Sequence, residues 1–232
     1  MQDPAREETL ARIRAALGPR GPRQRDEKPP SPRRAVEAIR ARLNGRRGEL
    51  IERFESELKR IGGMLYRALD APSACEQLGR LARQREVRRA VAWAGLDQEV
   101  LASLAGLEVY LDEKGGDPER LVQEAARADL GVTAVDYALA DTGTLVLLSG
   151  EGRARSVSLL PPLHVAILDA EKILPGLDEF FGLYGFDDGS SDRRLNSAVT
   201  FITGPSRTAD IELTLVVGVH GPQELHVILV GA

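Results

Sequence analysis

The sequence predicts an α/β domain with a mostly parallel sheet flanked by helices and antiparallel strands added late in the chain. Three observations carry that reading. Between Glu49 and Leu130, short apolar runs of strand length alternate with helical stretches, the pattern of βαβ units. Helix starts in that region carry capping signals, at Asp97 and at Asp117-Pro118. Beyond residue 130 the helices thin out, and β-like runs follow one another around Gly, Pro and Asp. With 43% hydrophobic residues in a chain of 232, one sizeable core is available.

Taken in order, Asp3-Pro4 opens a short helix whose Leu10, Ile13 and Leu17 share one face, and Gly18-Pro19 stops it. That stripe is too small to hold a helix alone, so it is expected to dock on this chain, a second copy or a partner. The following GPRGPRQRDEKPPSPRR has almost nothing to bury and reads as a flexible linker. Residues 1–48 therefore form a basic N-terminal helix and linker, and residues 49–232 form the α/β domain.

Within that domain, Leu50, Phe54, Leu58 and Ile61 recur at helical spacing until Gly62-Gly63 breaks the pattern. MLYRAL is a strand, 73–84 a helix, RRAVAWAG a buried strand, LDQEVLASLAG a helix, LEVYLD a strand and PERLVQEAARA a helix. VTAVDYALADTGTLVLLS holds two β-like runs around Asp141-Thr142-Gly143, and LLPPLHVAILDA adds a strand after a Pro pair. DEFFGLYG is helical, GFDDGSSDRR is a loop, and SAVTFITG, residues 211–217 and ELHVILVGA supply further strands.

Charge divides unevenly. Residues 1–50 carry 13 Lys and Arg against 7 Asp and Glu, whereas the rest carries 18 against 28. An acidic body and 4% aromatic residues argue against nucleic acid as a partner. One cysteine, Cys75, excludes an internal disulfide and a multi-thiolate metal or iron–sulfur site. No apolar run is long enough to span a bilayer and the N-terminus lacks a signal-peptide layout, so a soluble, cytoplasmic protein is expected.

Two segments have residues suited to chemistry. In 141-DTGTLVLLSGEGRARS-156, Gly143 permits a tight turn and Thr142 and Thr144 bring hydroxyls beside backbone N–H groups, a combination that can hold carboxylate or phosphate oxygens or can simply make a hairpin. Glu151 and Arg153 add charge in the next turn. In 203-TGPSRTADIELTLVVGVHGP-222, Arg207 offers a planar fork for an anion, with Ser206 and Thr208 as short donors. Asp210 and Glu212 can orient Arg207, serve as acid or base, or face solvent. The Gly204-Pro205-Ser206 turn follows a strand, which places it at the sheet edge where open α/β sheets bind ligands. His220 lies in a Gly-flanked turn, while His164 and His226 sit in apolar strands as core histidines. No His spacing suits a metal, and no catalytic residue stands out. Both segments are expected to converge on one pocket for a small acid or phosphate, against the alternative that Arg207 braces its own turn through Asp210 or Glu212.

These same residues, DTGTLVLLSGEGR with SLLPPLHVAIL, then GPSRTADIE and GVHGP, resemble the lactate-utilization (LUD) domain family over roughly residues 49–232. The resemblance implies a fold akin to the ribose-phosphate isomerase, glucosamine-phosphate deaminase and CoA-transferase group. It also implies a part in oxidising L-lactate to pyruvate together with cysteine-rich, iron–sulfur partner proteins. With one cysteine, this chain is then an accessory subunit with no cofactor of its own, the clusters being expected only in the partners. Fold relatives imply the other reading, a stand-alone enzyme or binding module for a sugar phosphate or CoA-like acid.

Overall fold

The computed structural model describes residues 45–184, 196–209, 215–218 and 220–231, with six positions before them (8, 11, 12, 15, 39 and 43). The stripe Leu10, Ile13 and Leu17, the expected linker, the expected loop GFDDGSSDRR and residues 210–214 lie outside the described residues. Helix α1, Arg47–Arg60, turns Leu50, Ile51, Phe54 and Leu58 into the core. It ends where expected, since Gly62 takes a left-handed φ of 87° and the Gly62 and Gly63 N–H groups close onto the Lys59 and Leu58 carbonyls.

Strand β1, Met64–Ala68, leads to Asp70, whose carboxylate accepts the Ser73 N–H while the Ser73 hydroxyl accepts the Asp70 N–H. That reciprocal cap starts α2, Ala71–Gln84. There follow β2 (Arg89–Trp93), α3 (Gln98–Ala102, capped by Asp97), β3 (Glu108–Asp112), α4 (Pro118–Arg127, capped by Asp117) and β4 (Leu130–Ala134). Next come β5 (Tyr137–Leu139), β6 (Thr144–Ser149), α5 (Ser156–Leu159), β7 (Leu163–Asp169) and β8 (Ile173–Leu174). Last are α6 (Leu177–Leu183), β9 (Ala198–Ile202), β10 (Arg207–Ala209), β11 (Leu215–Val217) and β12 (Glu224–Val230).

Six strands form an all-parallel sheet in the order β1-β12-β7-β4-β2-β3. Its inner strands are buried on both faces, as parallel sheets covered by helices require. A second sheet, β8-β5-β6-β9, is mixed, and β10 with β11 makes an antiparallel ribbon. The α/β class stands as expected. The late antiparallel strands, however, build a sheet of their own.

The run VTAVDYAL, read above as one strand, is two strands in two sheets. The Val135 N–H bonds the Ile167 carbonyl of the parallel sheet, and the next N–H, of Asp136, bonds the Val146 carbonyl of the mixed one. An apolar run specifies burial but not which sheet buries it. The short α5 was also unforeseen; it packs so closely on β4 that the Val157 carbonyl occupies the space of a Cβ at Gly131. The main core lies between the parallel sheet and α1–α4. A smaller one gathers Leu139, Val146, Leu174, Phe180 and Leu183, with Ile39 and Leu43 packed against it. Among the described residues no helix is long and apolar enough to cross a membrane.

Candidate functional site

In the parallel sheet the chain leaves β2 toward β3 on one side and returns to β4 on the other. Open α/β sheets hold ligands at the carboxyl ends of the strands where such a reversal falls, here β2 and β4. Trp93 ends β2 there, and Asp136 lies just past β4. The Arg153 guanidinium sits 4.6 Å from the centre of the Trp93 ring and donates to the Asp136 carboxylate at 2.6 Å. The same carboxylate oxygen accepts the Leu148 N–H at 2.8 Å, so Asp136 is well held. The Trp93 indole N–H donates to the Ala154 carbonyl at 3.1 Å, and the Ala154 N–H donates to Asp112 at 2.6 Å.

Asp112 closes β3 and is only 6% exposed. Burial pushes its carboxyl above the usual range, against the pull of the Ala154 hydrogen bond. Beside it lies a cavity of about 280 Å³, bounded by Glu151, Gly152 and the start of α4 at Asp117 and Pro118. Arg153 is therefore engaged, and an incoming carboxylate has to compete with Asp136 for its guanidinium. Arg153→Ala is expected to cost about 2 kcal/mol, below the range for a fully buried pair because this one is partly solvated. Adding Asp136→Asn should recover part of that loss, and strictly additive losses in urea denaturation would show that the pair is not coupled.

The other candidate residues meet elsewhere. Thr144 opens β6 and Arg153 follows its far end, and the five steps of ~3.4 Å between the strand's ends separate them by about 17 Å. At the Thr144 end, two turns close on the last turn of α1. Gly143, with φ of 66°, lies so near that a Cβ would fall 2.5 Å from the Leu58 nitrogen and 2.7 Å from the Glu57 carbonyl carbon. Gly204, with φ of 86°, places its own Cβ position 2.7 Å from the Ile61 carbonyl oxygen. The Thr144 and Thr203 hydroxyls join the turns at 2.9 Å. Arg207 lies across Gly62, filling the space of a side chain there.

The Thr142–Thr144 and Thr203–Arg207 turns thus converge on the carboxyl end of α1, over the ~7.5 Å that five helical steps span. Hydrogen bonding there is already committed in part: the Gly143 N–H bonds the Leu139 carbonyl and the Thr142 hydroxyl donates to Asp141 at 3.2 Å. The helix end itself, negative in its dipole, favours the Arg207 cation. Arg207 is exposed, and among the described residues no carboxylate pairs with it. Ser206 ties this segment to the GVHGP turn, its N–H bonding the Pro222 carbonyl at 2.8 Å and its carbonyl accepting the Gly218 N–H at 2.9 Å. His220 is exposed on that turn. Thr208 pairs through its backbone with Val216 in the ribbon, while Asp210 and Glu212 lie outside the described residues. The Gly204 turn does not lie at the carboxyl edge of the parallel sheet as expected: the strand before it is β9, which pairs antiparallel with β6.

Sequence reasoning passed over Trp93, Asp112 and Asp136. A usable signal existed, since an acid ending the apolar strand LEVYLD and another splitting VTAVDYAL are out of place in buried runs. It also treated the core histidines as equivalent. His226 is satisfied on both sides, by the Tyr66 hydroxyl at 3.1 Å and Glu224 at 2.7 Å. His164 meets the Thr133 hydroxyl at 2.9 Å through Nε2 but has no partner for Nδ1. Among the described residues no group of three or more His, Cys, Asp or Glu is placed to hold a metal ion.

Comparison with known proteins agrees with the family suggested by the motifs. The model of the LUD domain matches residues 51–230. A protein of Halalkalibacterium halodurans named lactate utilization protein C is 50% identical over 104 residues, 45% of each chain. Its namesake in a Geobacillus strain is 41% identical over 109 residues, covering 47% of this chain and 45% of that one. The Oceanobacillus iheyensis protein of the same name is 34% identical over 137 residues, covering 59% and 58%. The matched stretch thus spans about half the length of these curated relatives. A crystal structure of a duf162 family protein from Deinococcus radiodurans superposes with a TM-score of 0.58 over 80% of this chain and 98% of that one, at 22% identity, a likeness of fold. With a family model matched across most of its length and motifs in the expected places, this chain belongs to the LUD domain family.

Proposed function

We propose that the chain takes part in lactate utilization as an accessory subunit of an L-lactate-oxidising system whose iron–sulfur clusters belong to cysteine-rich partner proteins. The relatives named lactate utilization protein C support the first half. The observation that carries the second is the single cysteine. Clusters are held by several thiolates, and Cys75 is in addition partly buried, with burial and the nearby Glu99 charge pushing its thiol up and away from the ligating form. The contribution of this chain is then binding. Arg207, exposed on the end of α1 beside the Ser206 turn, is the group that would receive a small carboxylate or phosphate.

Reconstitution tests this. Partners purified with the chain are expected to oxidise lactate faster than partners alone, and the chain alone to give no turnover. Turnover by the chain alone, or a partner rate indifferent to it, would overturn the accessory role. Arg207→Lys keeps the charge but loses the fork. It is expected to weaken lactate or pyruvate binding about tenfold, roughly 1.4 kcal/mol, with Tm unchanged. Unchanged affinity with a lowered Tm would instead make Arg207 a brace on α1.

A further inference from the structure

Three large apolar side chains stand together in solvent where α6 meets β9. Leu177 and Phe181 are 45% and 57% exposed, and Phe201 is 41% exposed. Leu177 and Phe181 are four residues apart on α6, hence on one face. Phe181 and Phe201 lie 6.5 Å apart between ring centres, and both rings pack on the buried Phe180. β9 is moreover the edge of the mixed sheet. Scattered apolar residues on a surface need no explanation, but a joined patch on a sheet edge does.

We infer that this patch is the seat of the chain's own N-terminal helix, with Leu10, Ile13 and Leu17 laid on Leu177, Phe181 and Phe201. The path of the chain supports that occupant. Ile39 packs on α6, its Cδ1 2.6 Å from the Cβ position of Gly182, the residue after Phe181, and Leu43 joins the same small core. The N-terminal segment is thus tethered to the helix that carries two of the three patch residues. The 22 residues from Leu17 to Ile39 can reach about 70 Å when extended, far more than is needed. A short flexible tether gives an effective concentration in the millimolar range, which favours this segment over a separate molecule at cellular concentration. Glu8, Ala11, Arg12 and Ala15, which share the opposite face of that helix, are all exposed. Charge agrees as well: Asp178 and Glu179 open α6 beside the patch, and Arg14 flanks the apolar stripe of the arm that must approach it.

The test is photocrosslinking from a benzophenone attached at Arg14→Cys in the full-length chain with Cys75→Ser. Crosslinks are expected within one molecule to peptides containing Leu177–Leu183 or Ala198–Ile202, independent of protein concentration and lost with Ile13→Asp. Deletion of residues 1–17 should raise the fluorescence of a bound apolar dye at least twofold, and Phe181→Ser with Phe201→Ser should reverse that rise. Crosslinks only between molecules, together with a full-length dimer dissolved by Phe181→Ser, would assign the patch to a second copy and overturn the proposal. Crosslinks to other surfaces, none at all, or unchanged dye fluorescence on deletion would also overturn it.

Discussion

Gly143→Ala is expected to be among the most damaging single-methyl changes in this protein, costing about 3 kcal/mol or more and lowering Tm by about 6–12 °C. Two causes act together. The residue holds φ of 66°, a conformation that costs any L-residue roughly 1–2 kcal/mol. The new methyl would also land 2.5 Å from a backbone nitrogen in the last turn of α1, where the fully buried Leu58 holds that backbone in place. Gly152 separates these causes. Its φ of 69° is nearly the same, but the nearest atom to its Cβ position is 3.3 Å away. Gly152→Ala should therefore show mainly the conformational cost, about 1–2 kcal/mol, with only a slight shift asked of the Asp112 carbonyl. Equal losses in thermal scans of the two variants would mean that α1 yields to the methyl and that the contact is not tight.

Acid is the second large effect expected. Burial drives the His164 imidazole from its ordinary value down to about 3, with the nearby His226 acting in the same sense. His226 is itself held low by burial, opposed by Glu224 and aided by the Arg85 charge. Both are depressed on folding, so the unfolded chain binds more protons below pH ~6.5. Their contribution is complete above that pH and is lost as pH falls toward about 3. One such proton costs about 2 kcal/mol by pH 5. Carboxylates held low, such as Asp70 beside Ser73 and Glu55 beside Lys59 and Arg67, add losses only further down, below pH ~4. Asp112 has the opposite sign: its carboxyl is raised, so its share is present in acid and lost as pH rises. Urea midpoints at pH 7.5, 6 and 5 should fall steadily, and His164→Leu should flatten the slope whatever its baseline stability. A midpoint independent of pH over this interval would contradict the buried neutral imidazole.

The first half of the domain was legible because its signals are local. Asp97 and Asp117 cap the helices they announce, and Leu50, Phe54 and Leu58 face the core that their spacing implies. The handover at Val135-Asp136 was not, because the choice between two sheets is made by partners at Ile167 and Val146, which lie beyond any local window. The site was half legible for the same reason. Gly143 and Arg207 announced themselves as special residues, and each lies against the end of α1, yet nothing in DTGT says that a helix end faces the turn. Arg153 was equally conspicuous, whereas its partners stand 60 residues away at Trp93 and 17 away at Asp136.

Strand β1 bonds to the sheet through β12 alone, Met64 lying opposite His226. About 160 residues of chain separate those partners. On a ribosome adding ~5–20 residues per second, β1 and its helix partners wait roughly 8–30 s for the strand that will receive them. The edge of β1 is open throughout that time and that of β7 for its last third or so, and pairing with another nascent chain competes with the arrival of β12. The vulnerable interval for this domain is therefore the one before β12 emerges, and its yield should depend on the speed with which that strand is delivered.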